Sequence, residues 1–244
     1  MHHTGVMITG VSSGLGKELA KQCLMAGAQV FGVSRTCPDD IVFKHEKFVH
    51  KAVDLSASFN ANGLIQEALA VFAQDEHISQ LLLINNAGTV EPIALSGHYP
   101  NGAVEKSFFL NSVAPILLVN AFVSALGSDT PAKIVNISSG AATTAYSGWG
   151  VYCATKAALN QFSEVVALEH QHIKIVSLAP GVVDTGMQQK IRYQSEQDFP
   201  NVERFITLHE EGQLSRSDVA AQKILNFIHS KAFGQKVNVD IRKL

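Results

Sequence analysis

Tyr152 and Lys156 stand four residues apart in a stretch whose pattern predicts a helix over 151–170, so both side chains fall on one helix face. A phenol beside an ammonium can do proton chemistry. A free tyrosine titrates at about pH 10, and a neighbouring positive charge favours the phenolate. That shift suits a general acid–base group acting on a carbonyl or an alcohol. Alone, a Tyr-x-x-x-Lys pair is far more often an ordinary pattern of a solvated helix. Ser138 and Ser139 raise its significance, since they end a strand-like run thirteen or fourteen residues upstream. A hydroxyl there can polarise a carbonyl and stabilise developing negative charge.

Asn111 joins this group through Pro115. Within a helix a proline cannot donate to the carbonyl four residues earlier, and that carbonyl belongs to Asn111. A freed acceptor could anchor a water connecting Lys156 to solvent.

These residues need elements to position them. Strands are predicted at 5–9, 28–34, 47–53, 81–85, 133–138, 173–179 and 236–240, and helices at 14–26, 60–75, 102–126, 151–170 and 217–230. The strands are rich in Val, Ile and Leu with little alternation, as expected where both sheet faces are covered. Strand–helix alternation from end to end predicts one α/β domain over 1–244, a doubly wound parallel sheet of about seven strands flanked by helices. One segment breaks the rhythm. Residues 182–214 follow a strand's carboxyl end and are expected to form a substrate lid, with short helices near 185–193 and 200–211.

The first strand runs into Thr9-Gly10-Val11-Ser12-Ser13-Gly14-Leu15-Gly16. Glycines allow a tight turn and close approach of backbone to a pyrophosphate, whose charge a helix N-terminus favours. Gly10, Ser12, Ser13, Gly14, Leu15 and Gly16 are therefore expected to cradle a dinucleotide. The spacing is G-x-x-x-G-x-G rather than G-x-G-x-x-G. Further motifs follow in order: Asp54, Asn85-Asn86-Ala87-Gly88, Ser139 with Tyr152-x-x-x-Lys156, and Pro180-Gly181-Val182-Val183-Asp184-Thr185.

With these motifs, spanning most of its length, the chain resembles the short-chain dehydrogenase/reductase family. The resemblance implies a Rossmann-type fold and a catalytic set of Asn111, Ser139, Tyr152 and Lys156, and its spacing selects Ser139 over Ser138. It places Asp54 and Leu55 beside the adenine, with Asn85, Asn86, Ala87 and Gly88 on the adenosine ribose side. Lys156 would hydrogen-bond the nicotinamide ribose. Pro180, Gly181 and Val183 complete the cofactor set, and Thr185 would hold the carboxamide. The positive ring of the oxidised cofactor would further favour the Tyr152 phenolate. Association through the two long helices, as a homodimer or homotetramer, is also implied.

The cofactor expected is NADP(H). An acidic residue about twenty positions after the glycines would select NAD. Here the second strand ends Val33-Ser34-Arg35-Thr36, where Arg35 can pair with a 2′-phosphate while Ser34 and Thr36 donate hydrogen bonds. A solvated arginine is the alternative. Ser13 stands where many NADP-preferring relatives carry a second basic residue, and Lys17 either compensates or points to solvent.

Ser139-Gly140-Ala141, Gly148-Trp149-Gly150, Gly181 to Thr185 and Glu203-Arg204-Phe205 resemble sepiapterin reductases and, more closely, bacterial benzil reductases. That branch reduces 1,2-dicarbonyl compounds, so the expected partner is a small carbonyl substrate. Asp240 matches a pterin-anchoring aspartate, or else is a strand-terminal residue with a local hydrogen bond. Trp149, Met187, Phe199 and Phe205 supply either a pocket wall or core packing. A 3-oxoacyl thioester, a sugar ketone and a non-catalytic dinucleotide sensor are the competing readings.

Composition restricts the rest. Net charge is −2 with scattered basic residues, which argues against nucleic acid or an anionic membrane as partner. No uninterrupted apolar run reaches membrane-spanning length. Three cysteines without framework spacing, and a strand beginning within eight residues of Met1, suggest a cytoplasmic protein without a signal peptide. Ten histidines lack zinc-binding spacing, so no metal is expected.

Overall fold

The computed structural model describes residues 1–127 and 130–244. Strands β1 (Thr4–Thr9), β2 (Gln29–Ser34), β3 (Phe48–Ala52), β4 (Gln80–Asn85), β5 (Ala132–Ile137), β6 (Lys174–Ala179) and, after a short pair, β9 (Asn238–Asp240) form one parallel sheet. Their spatial order is β3-β2-β1-β4-β5-β6-β9. The uniformly apolar strands are explained by which face each residue serves. Val6 and Ile8 of β1 enter one core and Met7 the other; in β4, Leu82 and Ile84 oppose Leu81 and Leu83. With both faces buried there is no polar face to create alternation.

One layer contains α1 (Gly14–Met25), packed on α8 (Ser217–His229). The other contains α2 (Ala61–Phe72), α4 (Ala114–Ala125) and α5 (Gly150–Glu169). The chain reverses its direction of sheet growth between β1 and β4, which opens a crevice over the strands' carboxyl ends at that point.

The helix predicted over 102–126 is continuous but not uniform. It runs as α3 (Ala103–Phe108), a π turn over Phe109–Val113 and then α4. Pro115 sits just after the π turn, where the hydrogen-bond register of the helix is already changing. The expected disturbance is thus absorbed as one wide turn that contains Asn111. Taken together, Ala103–Ala125 is long and apolar enough by length and composition to cross a bilayer, which single apolar runs did not suggest. Its contacts with α2 and α5 make it a layer helix of this sheet.

The segment after β6 contains α6 (Gly186–Arg192) and α7 (Val202–Glu210). At its base, β7 (Val183–Asp184) pairs in parallel with β8 (Ser215–Arg216), a two-rung sheet that the sequence did not reveal. A third apolar cluster lies between this segment and the main body, built around Trp149, Tyr152, Phe199 and Phe205.

Candidate active site

A cleft of 1210 Å³ lies across the carboxyl ends of the strands. It exceeds the roughly 300–1,000 Å³ usual for small-molecule pockets, as an extended ligand plus substrate requires. All the dinucleotide-site residues proposed from sequence line it except Asn85 and Thr36, and Ser139, Trp149, Met187 and Phe205 line it as well.

The turn between β1 and α1 is shaped for a close ligand. Gly10 and Gly14 have φ of 76° and 57°, in the left-handed region that glycine adopts freely. A Cβ on Gly16 would come within 2.2 Å of the Gly10 carbonyl oxygen, so no larger residue fits. The Asn86 side chain donates to the carbonyls of Thr9 (3.0 Å) and Gly10 (3.4 Å), while the Thr9 hydroxyl accepts from the N–H groups of Asn86 and Ala87. Ser13 precedes α1 without capping it, and the first turn holds no acidic residue. The helix N-terminus therefore faces the cleft with free N–H donors, a site suited to a pyrophosphate.

Asn85 is a correction. Its side chain is buried beneath the sheet and donates to Asn136 at 2.9 Å, so it cannot reach a ribose. Strand alternation explains this: Asn85 and Asn86 point to opposite sides. Lys17 also stays outside the cleft, held by Asp40 at 3.6 Å.

At the far end Arg35 is exposed, borders the cleft and has no salt-bridge partner among the described residues. Ser34 is less available than expected, because its hydroxyl donates to the Thr36 carbonyl at 2.8 Å and contacts His50 at 3.0 Å. Burial lowers the His50 pKa, which favours the neutral ring. Asp54 accepts from the Ser56 N–H and hydroxyl, and these bonds hold its carboxyl below the usual range.

At the other end Tyr152 and Lys156 project from the first turns of α5, both buried. Lys156 Nζ donates to the Ile137 carbonyl at 2.8 Å, and burial lowers its pKa to about 8. Tyr152 departs from expectation. Burial raises the phenol above its ordinary value, and the Ser139 hydroxyl only partly opposes this. Ser139 caps a short 3-10 turn, where its Oγ accepts from the Ala141 N–H at 3.1 Å. The Ser138 hydroxyl is committed elsewhere, donating to Asn160 at 2.6 Å. Geometry thus favours Ser139 independently of spacing.

Asn111 does not line the cleft. Its side chain accepts from the Thr89 N–H and donates to the Thr89 carbonyl, both at 2.8 Å, with Thr155 Oγ1 at 3.2 Å. It fastens the loop after β4 to α5. Gly88 lies between the two groups, since a Cβ there would sit 3.1 Å from Asn111 Oδ1 and 3.7 Å from Lys156 Nζ.

Two substrate-side alternatives are resolved. Trp149 borders the cleft but is mostly buried, stacked on Phe199 at 4.7 Å and on Tyr152 edge-on at 5.5 Å. It supports the wall more than it forms it. Asp240 does not line the cleft: its carboxylate is held by Arg242 through Nε at 2.9 Å and Nη2 at 2.6 Å. Arg242 is the residue that reaches the cleft, and sequence reading missed it, as it missed Tyr146. Among the described residues no group of three or more His, Cys, Asp or Glu is placed to hold a metal.

A parallel sheet with this turn and this Ser–Tyr–Lys cluster matches the short chain dehydrogenase family model over residues 4–196. The chain belongs to the short-chain dehydrogenase/reductase family, oxidoreductases that bind a nicotinamide cofactor and act on C=O and CH–OH groups. It is 35% identical to a benzil reductase ((S)-benzoin forming) from Bacillus cereus over 96% of this chain and 98% of that one. It is 30% identical to a sepiapterin reductase from Rattus norvegicus, covering 96% and 94% respectively. Among solved structures, the KRED1-Pglu enzyme superposes with a TM-score of 0.82 at 27% identity, over 96% and 99% of the two chains.

Proposed function

We propose that this protein is an NADPH-dependent carbonyl reductase that reduces one ketone of a 1,2-dicarbonyl compound to an alcohol. The observation that carries the reading is the buried Tyr152 phenol, beside Ser139 and one helical turn from Lys156, at the inner end of a dinucleotide-sized cleft. Its raised pKa keeps the proton in place near neutral pH, which suits an acid in the reductive direction.

The cofactor, when bound, supplies hydride to the carbonyl carbon. The turn from Gly10 to Gly16 and the N-terminus of α1 hold the pyrophosphate. Arg35 meets the 2′-phosphate, and its lack of a carboxylate partner supports NADP over NAD. Asp54, Leu55 and residues 86–88 flank the adenosine; Pro180, Gly181, Val183 and Thr185 hold the nicotinamide end. Ser139 donates a hydrogen bond to the substrate carbonyl oxygen, where negative charge develops. Tyr152 delivers its proton to that oxygen. Lys156 holds the ribose and stabilises the resulting phenolate, and Asn111 fixes the loop and helix that frame Lys156.

Similarity to benzil and sepiapterin reductases supports the dicarbonyl class, as do the apolar Met187 and Phe205 in the cleft. Exposed Val113, Leu117, Val165 and Leu168 on α4 and α5 and the turn before α4 support association of chains through these helices. The test is NADPH oxidation with aromatic α-diketones, quinones and pterins. Absence of turnover across that panel removes the substrate reading.

A further inference from the structure

Arg242 and Asp240 form a neutral recognition device at the substrate end of the cleft. The Arg242 stem lies along the Pro180-Gly181 backbone, where a Cβ on Gly181 would sit 3.2 Å from its Cδ. Its guanidinium approaches the Ser139-Gly140 backbone, with Nη2 3.9 Å from where a Cβ on Gly140 would be. The side chain therefore packs beside two glycines that flank the reacting groups. Asp240 ties Nε and Nη2 in a bidentate pair and also accepts from the Arg242 main-chain N–H at 3.0 Å. Nη1 remains without a partner among the described residues.

We propose that Nη1 of Arg242 donates to the second, non-reacting carbonyl oxygen of the substrate, with Asp240 as its positioning residue. The inference rests on the carbonyl-reductase reading and specifies which carbonyl compounds fit. A bidentate pair offers fixed donors but little net charge. It therefore matches a neutral acceptor next to the reacting carbonyl, not a carboxylate. A vicinal diketone places such an acceptor one bond away; a monoketone has none, and an α-keto acid brings a full negative charge that the already neutralised pair does not offset. Arg204 also borders the cleft and, like Arg242, is exposed, but its guanidinium lies over the rings of Tyr146 and Phe205 and donates from Nη1 to the Tyr146 hydroxyl at 3.4 Å, so no carboxylate fixes it beside Ser139 and Gly140.

Three probes of similar size separate these cases: 1-phenyl-1,2-propanedione, propiophenone and phenylglyoxylate. Turnover is measured with NADPH. Binding is measured on the NADP⁺-loaded protein by fluorescence of Trp149, the chain's single tryptophan. The wild type is expected to prefer the diketone. Arg242→Met should lower the diketone-to-monoketone ratio of kcat/KM by about tenfold, the size of one lost hydrogen bond, while propiophenone is barely affected. Asp240→Asn should raise phenylglyoxylate relative to the diketone, and Arg204→Met should leave the ratios alone. An unchanged ratio in Arg242→Met, in both turnover and binding, overturns the proposal. So does wild-type preference for phenylglyoxylate. If Arg242→Met does not fold, Arg242→Lys retains the stem and charge without the fork and should show the same direction of change. If no probe is turned over but binding remains diketone-selective through Arg242, the reductase reading fails and the role of the pair stands.

Discussion

Lys156 Nζ donates to the Ile137 carbonyl at 2.8 Å, so the buried ammonium is tied to the end of β5, two residues before Ser139. The bond joins the helix that carries the acid to the strand that carries the polarising hydroxyl. It also leaves a charge in an apolar setting, which lowers the Lys156 pKa to about 8. Below that pH the folded protein carries the burial cost of the charge; between about pH 8 and the ordinary lysine value of about 10.4, the unfolded chain binds the extra proton. Stability from this residue therefore rises with pH across that window. Thermal melts of wild type and Lys156→Met should show the wild type gaining on the variant from about pH 8 to 10, with a constant difference below pH 7. Parallel curves throughout would refute the buried ammonium.

Tyr152→Phe removes the acid but keeps the ring that packs edge-on against Trp149. Turnover should fall by about 10²–10⁴-fold, the usual range for losing a general acid. NADPH affinity should change little, since the phenol is not the main cofactor contact. Stopped-flow reduction and cofactor titration separate the two effects.

Arg35→Ala should raise the KM for NADPH by tenfold or more, about the contribution of one charge-assisted contact, and leave NADH use nearly unchanged. Equal loss with both cofactors would mean that Arg35 is a solvated surface group.

Asn111→Ala strips the Thr89 main chain of its partners on both sides and leaves Thr155 one contact fewer. The loss should be on the order of 2–3 kcal/mol of stability, by urea denaturation, since buried polar groups are left unpaired. Residual activity at low temperature should show a larger drop in kcat than in cofactor affinity.

Much of this was legible in the chain because the informative residues follow local rules. Gly10, Gly14 and Gly16 announce a tight strand–helix turn, and Tyr152 and Lys156 share a face by helical spacing alone. The continuous apolar strands predicted a doubly covered sheet, and they form one. What escaped depended on geometry that spacing does not encode. Asp240 read either as a substrate ligand or as a strand-terminal aspartate with a local hydrogen bond, and the fold-back of Arg242, two residues on, makes it the second. Tyr152 read as acidified by Lys156, yet its burial needs Phe199 and Phe205 to arrive from the distant lid segment, and burial acts in the opposite direction. Asn85 and Asn86 needed the strand register to tell apart. The β7–β8 pair joins residues thirty-two positions apart through two rungs, too short a signal for any periodicity.

That short pair has a consequence for how such a molecule can diverge. Val183 meets Ser215 and Asp184 meets Arg216, so the chain leaves the scaffold and returns to it at a single seam. Everything between is a closed excursion whose ends are already held together, and lengthening it adds only slowly to its entropic cost. Residues 186–214 can therefore be exchanged for a relative's counterpart, seam to seam, as long as the newcomer restores the packing that Phe199 and Phe205 give Tyr152. Specificity travels as a cassette, and the chemistry remains with the chassis.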